Sequence, residues 1–133
     1  MSVGILIISH NGIGAALLGT ANFMIKDNPL QVKLLSANRD SQADELFETA
    51  SVLAKELDTG DGVLILTDLF GSTPSNTAHR LHEYATINIV TGLNLSMLIR
   101  VFNYPNLKLT EMTEKAYSGG IDGITVNQEH ENE

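Results

Sequence analysis

Val3-Gly4-Ile5-Leu6-Ile7-Ile8-Ser9-His10-Asn11-Gly12-Ile13-Gly14 is the stretch on which the reading of this chain turns. Residues 3–9 form a continuous apolar run, the pattern of a strand covered on both faces. His10 stands where the run stops, and a glycine-bearing turn begins at once. A second run, Val63-Leu64-Ile65-Leu66-Thr67, ends in Asp68 and leads into Leu69-Phe70-Gly71-Ser72-Thr73-Pro74-Ser75-Asn76. In an open parallel sheet, residues just past the carboxyl ends of the strands line the ligand crevice. If the two runs are neighbouring parallel strands, His10 and Asp68 meet there. An imidazole oriented by a carboxylate is the minimum equipment for nucleophilic or acid–base chemistry.

Outward from these two runs, strand and helix signals alternate. Ile13–Lys26 carries Ile13, Leu17, Leu18, Ala21, Met24 and Ile25 at helical spacing, and Asp27-Asn28-Pro29 breaks it. Gln31–Leu35 reads as a short second strand. From Ser41, a predicted cap, to Leu57 runs the clearest helix, with Ala43, Leu46, Phe47, Ala50, Leu53, Ala54 and Leu57 on one apolar stripe. The helix after Asp68 is expected from Ser75 or Asn76 to about Tyr84. β-Branched residues 86–91 make a fourth strand. Gly92-Leu93-Asn94 then turns into an apolar helix over 94–103. Thr110 to Tyr117 reads as a last helix, ended by Gly119-Gly120. Ile121 to Val126 reads as a short edge strand or an arm, and 127–133 as an acidic, frayed tail. Such alternation specifies an α/β three-layer sandwich with right-handed crossovers. At 133 residues it makes one domain, residues 1–126, with a substantial core.

Composition narrows the function. Hydrophobic residues make up 43% and charged residues 18%, as in a folded globular protein. Cysteine is absent, which excludes disulfides, thiolate catalysis and cysteine-ligated metal sites. The apolar runs fall far short of the ~20 residues of a spanning helix, and no basic segment precedes the first of them, so the expected home is cytoplasmic. Sixteen acidic against eight basic residues give a net charge of −8. That disfavours nucleic acid, whose binding rests on clustered Lys and Arg, and suits a basic protein partner.

Three strand-to-helix turns carry polar chemistry. The first supplies His10; the second supplies Asp68, Gly71, Ser72 and Thr73; the third supplies Gly92 and Asn94. Glycines allow close backbone approach, helix N-terminal amides attract anions, and hydroxyls add donors. Together they describe a small cradle for a phosphoryl group within reach of His10. Taken singly, each of these residues is an ordinary turn or cap former. It is His10 and Asp68 at equivalent strand ends that point to chemistry. Neither a P-loop nor a dinucleotide fingerprint is present, and no Arg or Lys lies in the three turns. A nucleotide triphosphate is therefore not the expected ligand; a phosphoryl group bonded to His10 would be held by the bond itself. His79 and His82, three apart on a helix, lack an obvious third metal ligand and read as surface residues.

These turns resemble those of the mannose-family IIA component of the bacterial phosphoenolpyruvate:sugar phosphotransferase system. The likeness covers residues 1 to about 125. It rests on Gly4–His10, on Gly62–Asn76 with its Asp-x-x-Gly-x-Ser/Thr-Pro-x-Asn signature, and on Val90–Leu98. It implies an open sheet of four parallel strands in the order 2-1-3-4, flanked by helices, and a homodimer that exchanges a C-terminal antiparallel strand, for which 121–126 is the candidate. It also implies that His10 accepts a phosphoryl group from the carrier HPr and passes it to a IIB protein. Asp68 would bond Nδ1–H and leave Nε2 as nucleophile, while Gly71, Ser72, Thr73, Gly92 and Asn94 would cradle the group. No metal or other cofactor is implied.

The resemblance is to the stand-alone form, without a fused IIB domain. Two roles are then expected: a carrier in sugar uptake, peripherally associated with a membrane permease complex, or a regulatory phosphorelay protein in a system without sugar transport. A phosphorylation-dependent binding module and a small hydrolase using His10 and Asp68 are the alternatives from other classes. The hydrolase is weakened by the absence of a Ser, Cys or metal set in the motif.

Overall fold

The apolar runs become the two inner strands of a sheet. The structure is a computed structural model that describes residues 2–83 and 86–129. Its elements are β1 (Gly4–His10), α1 (Ile13–Met24), β2 (Val32–Ala37), α2 (Ala43–Leu57), β3 (Val63–Thr67), α3 (Thr73–Leu81), β4 (Ile87–Val90), α4 (Leu95–Phe102) and α5 (Leu109–Asp122). All pairings are parallel and the order is β2-β1-β3-β4. This is the open α/β sandwich the sequence led us to expect. Direction reverses between β1 and β3, which is the switch point where such sheets place their ligands.

Both faces of the inner strands are covered, and so they lack apolar/polar alternation. Ile5, Ile7, Leu64 and Leu66 face one core with Ala21 of α1, Leu98 and Val101 of α4 and Met112 of α5. Leu6, Ile8, Val63 and Ile65 face the other with Ala50 and Leu57 of α2 and Leu81 of α3. Burial of each such aliphatic side chain contributes roughly 1.5–3 kcal/mol. Among the described residues no helix is long and apolar enough to cross a membrane.

Four local expectations are corrected. Ser41 does not cap α2: Gln42 holds that position without a side-chain bond, and Ser41 Oγ instead accepts from Asn38 N–H at 2.9 Å. The helix after Asp68 starts earlier than expected, at Thr73, because Pro74 fits the first helical turn, where its missing N–H costs nothing. Its predicted end at Tyr84 lies outside the described residues. Gly119-Gly120 does not end α5. The helix runs through both, since a Cβ on Gly119 would lie 2.4 Å from Arg100 Cβ and one on Gly120 2.9 Å from Met97 Cε. These glycines let α4 and α5 pack closely. Finally, 121–126 forms no strand within this chain: α5 takes Ile121 and Asp122, and residues 124–129 have no regular structure, so of the two readings, strand or arm, the arm stands. Residues 130–133 of the expected tail lie outside the described residues.

Candidate active site

His10 is the last residue of β1, beside Ala37 at the end of β2. In the β1–β3 register Ile8 pairs with Thr67, so both strands present their final residues at one sheet edge. The contact follows from that register. His10 Nδ1 lies 2.9 Å from Asp68 Oδ2, and the His10 backbone N–H donates to the same oxygen at 2.9 Å. One carboxylate oxygen thus fixes both the backbone and the ring of the histidine. A carboxylate only accepts, so Nδ1 carries the proton and the lone pair sits on Nε2. The His10 side chain is 45% exposed and that of Asp68 only 9%. The acid is the buried anchor, and the imidazole is the accessible group.

The carboxyl of Asp68 is held below its ordinary pKa. Burial pushes it up, but the His10 backbone bond, the His10 side-chain bond and the charge of that ring together outweigh burial.

The start of α1 is fixed by packing. Ser9 Oγ donates to His10 C=O at 3.0 Å and accepts from Gly14 N–H at 2.9 Å. A Cβ on Gly14 would lie 2.8 Å from both Ile7 Cγ2 and Ser9 Oγ, so glycine there lets the helix sit against the strand. On the second turn Gly71 adopts φ +84 with open space around it, a left-handed bend that L side chains rarely take. Ser72 Oγ donates to Leu69 C=O, which closes that turn. Thr73 opens α3 and is among the residues that line the crevice.

The third turn is tied to the end of β3 by Leu93 N–H donating to Thr67 C=O at 2.9 Å. Gly92 has φ +79. Asn94 is already engaged: its Oδ1 accepts from Met97 N–H at 2.8 Å as the α4 cap, and its Nδ2 donates to Gly120 C=O at 3.1 Å. Of the sequence-predicted set, then, His10 and Asp68 touch and Thr73 lines the crevice with His10. Asn94 braces α4 against α5.

An open crevice of about 710 Å³ is lined by His10, Asn11, Ala37, Asn38, Arg39 and Thr73. Asn38 and Arg39 come from a fourth turn, β2 to α2, which lacks the glycines that mark the other three in the sequence. They reach the site because β2 is the neighbour of β1. A smaller cavity of about 200 Å³ lies at the opposite sheet edge, where Val63 and Ile87 begin their strands. His79 is exposed on α3, with Nδ1 2.7 Å from Ser75 C=O. Among the described residues no group of three or more His, Cys, Asp or Glu is placed to hold a metal ion.

Comparison with known proteins gives the family and supports the fold. Residues 4–116 match the family described as the PTS system fructose IIA component, EIIA-man. The mannose-specific EIIAB component of the PTS of Escherichia coli strain K12 is 29% identical over 127 residues, 93% of this chain and 39% of that protein. The chain therefore spans well under half the length of that relative. A PTS IIA protein associated with the fucose utilization operon of Streptococcus pneumoniae superposes with a TM-score of 0.72 at 28% identity, over 89% of this chain and 93% of that one. The mannose/sorbose specific IIA subunit from Enterococcus faecalis shares the fold at a TM-score of 0.84 and 22% identity, over 98% of both chains. A family match over most of the chain, on a sheet of this order, means that the protein belongs to the EIIA-Man family of phosphotransferase-system IIA components.

Proposed function

We propose that the protein is a phosphohistidine carrier: it takes a phosphoryl group from phospho-HPr onto His10 and passes it to a IIB protein. The observation that carries this reading is the 2.9 Å contact between His10 Nδ1 and Asp68 Oδ2. With Nδ1 protonated and held, the Nε2 lone pair attacks phosphorus. The bond from phosphorus to the donor imidazole breaks, and its electron pair stays on the donor nitrogen. Asp68 balances the positive charge that develops on the His10 ring and retains the Nδ1 proton. Onward transfer is the same step reversed, with the acceptor as nucleophile. Such exchange asks mainly for positioning and charge stabilisation.

The cradle would consist of Thr73, the backbone around Gly71, Ser72 and Gly92, and the α3 N-terminus, whose free amides attract anions. Asn94 would serve it indirectly, as the brace that sets the third turn. Leu69 and Phe70, 61% and 72% exposed beside Asp68, offer apolar surface for a docking carrier protein. Exposed Tyr117, Ile121, Ile124 and Val126 offer the same to a second copy, in support of a homodimer.

Intact-mass analysis after incubation with phosphoenolpyruvate, enzyme I and HPr tests the reading. We expect one acid-labile phosphoryl group on the wild type and none on His10→Ala. Equal labelling of the variant would remove His10 from the assignment. No labelling of either would remove the carrier function.

A further inference from the structure

A cationic side chain lines the crevice beside His10. Of the eight Lys and Arg residues, Arg39 is the one that lines the crevice with His10. It is exposed, and among the described residues it makes no ion pair: Lys33, Arg80 and Arg100 take Glu56, Asp44 and Asp122, and neighbouring Asp40 leaves it unpaired. Its position is set by the turn that carries it. Asn38 N–H donates to Ser41 Oγ at 2.9 Å, Asp40 N–H donates to Asn38 Oδ1 at 2.9 Å, and Ser41 Oγ donates to the same oxygen at 3.2 Å. Asn11 N–H donates to Ala37 C=O at 2.9 Å, which anchors this turn to the one after His10. The short polar side chains of Asn38 and Ser41 close the loop, and Arg39 stays free at its tip.

A guanidinium presents a planar fork of donors that matches phosphate oxygens two at a time. A phosphoryl group on Nε2 brings close to two negative charges onto a ring whose other nitrogen is already bonded to the Asp68 carboxylate. A local cation is the missing counter-charge. Resting on the carrier reading above, we propose that Arg39 contacts the phosphoryl oxygens of phospho-His10 and of the transferring group. The β2–α2 turn is thereby a fourth wall of the site.

The test compares the wild-type chain with Arg39→Gln and Arg39→Lys, using two donors: phosphoramidate, which needs no docking surface, and phospho-HPr. The rate of phosphoryl gain on His10 is read by intact mass. The titration of the phosphoryl group is followed by 31P NMR. We expect Arg39→Gln to slow gain from both donors about tenfold, between the effect of an exposed ion pair and that of an oxyanion donor, with Arg39→Lys recovering most of it. The phosphoryl titration should move to higher pH in Arg39→Gln, because a nearby cation favours the dianion, and a purely structural role would leave it in place. Unchanged rates and titration would overturn the proposal. Slowing with phospho-HPr alone would also overturn it, by assigning Arg39 to protein docking. A wild type that neither donor phosphorylates would instead remove the carrier reading, and this inference with it.

Discussion

Asp58 and Asp68 do the same thing with their side chains, at opposite edges of one sheet, with different consequences. Asp58 follows α2, and its Oδ1 accepts from Gly60 N–H at 2.9 Å and Gly62 N–H at 3.1 Å. Asp68 follows β3, and its Oδ2 accepts from the backbone and ring of His10 at 2.9 Å each. In each case one carboxylate oxygen closes a pair of donors. The Asp58 donors lie two and four residues away, so it builds a turn and nothing more. The Asp68 donors lie 58 residues away, on a neighbouring strand, so it sets the tautomer of an exposed imidazole. The chemistry of an aspartate here is decided by the sequence distance of what it binds, and that distance comes from the β1–β3 pairing.

The comparison breaks most sharply under paired amide substitution. Asp68→Asn presents the same shape without the charge, and its amide can turn an N–H toward Nδ1. Transfer through His10 should slow by about 10²-fold or more while the far-UV circular dichroism stays native. Stopped-flow transfer from phospho-HPr reads the effect, and an unchanged rate would reduce Asp68 to the rank of Asp58. Asp58→Asn should leave transfer alone and cost only about 1 kcal/mol of unfolding free energy, the worth of a weakened turn bond. Urea titration measures this.

A smaller effect sharpens the same contrast. Because the folded-state pKa of Asp68 is depressed, the carboxylate contributes stability that is fully present above its unfolded pKa. That contribution is lost as pH falls through the lower, folded value. The wild type should therefore lose stability from about pH 4 downward more steeply than Asp68→Asn, which lacks the group. Parallel acid limbs in urea titrations at stepped pH would contradict this.

How much of this was legible in the residues follows the same division between near and far. The inner strands announced themselves as unbroken apolar runs, since both faces are buried, and the turns after them showed their glycines and hydroxyls. The pair His10 and Asp68 could be named because both close such runs. Gly119-Gly120 misled because helix-ending glycine is a local signal, whereas these two serve the close approach of α4, whose Arg100 and Met97 are far off in sequence. Ser41 bears a good capping side chain, but its hydroxyl is taken by the turn behind it, at Asn38, and not by the helix ahead. Arg39 lies in a turn without the glycines that mark the other three, and its one hydroxyl, Ser41, reads as a helix cap. Only the placement of β2 beside β1 brings Arg39 to the crevice.

The most direct measurement is to phosphorylate 15N-histidine-labelled protein and determine, by 15N–1H correlation of the His10 ring, which nitrogen bears phosphorus. The account predicts Nε2, with Nδ1 still protonated and still bonded to Asp68. Phosphorus on Nδ1 would require that bond to break, and would contradict the role given to Asp68.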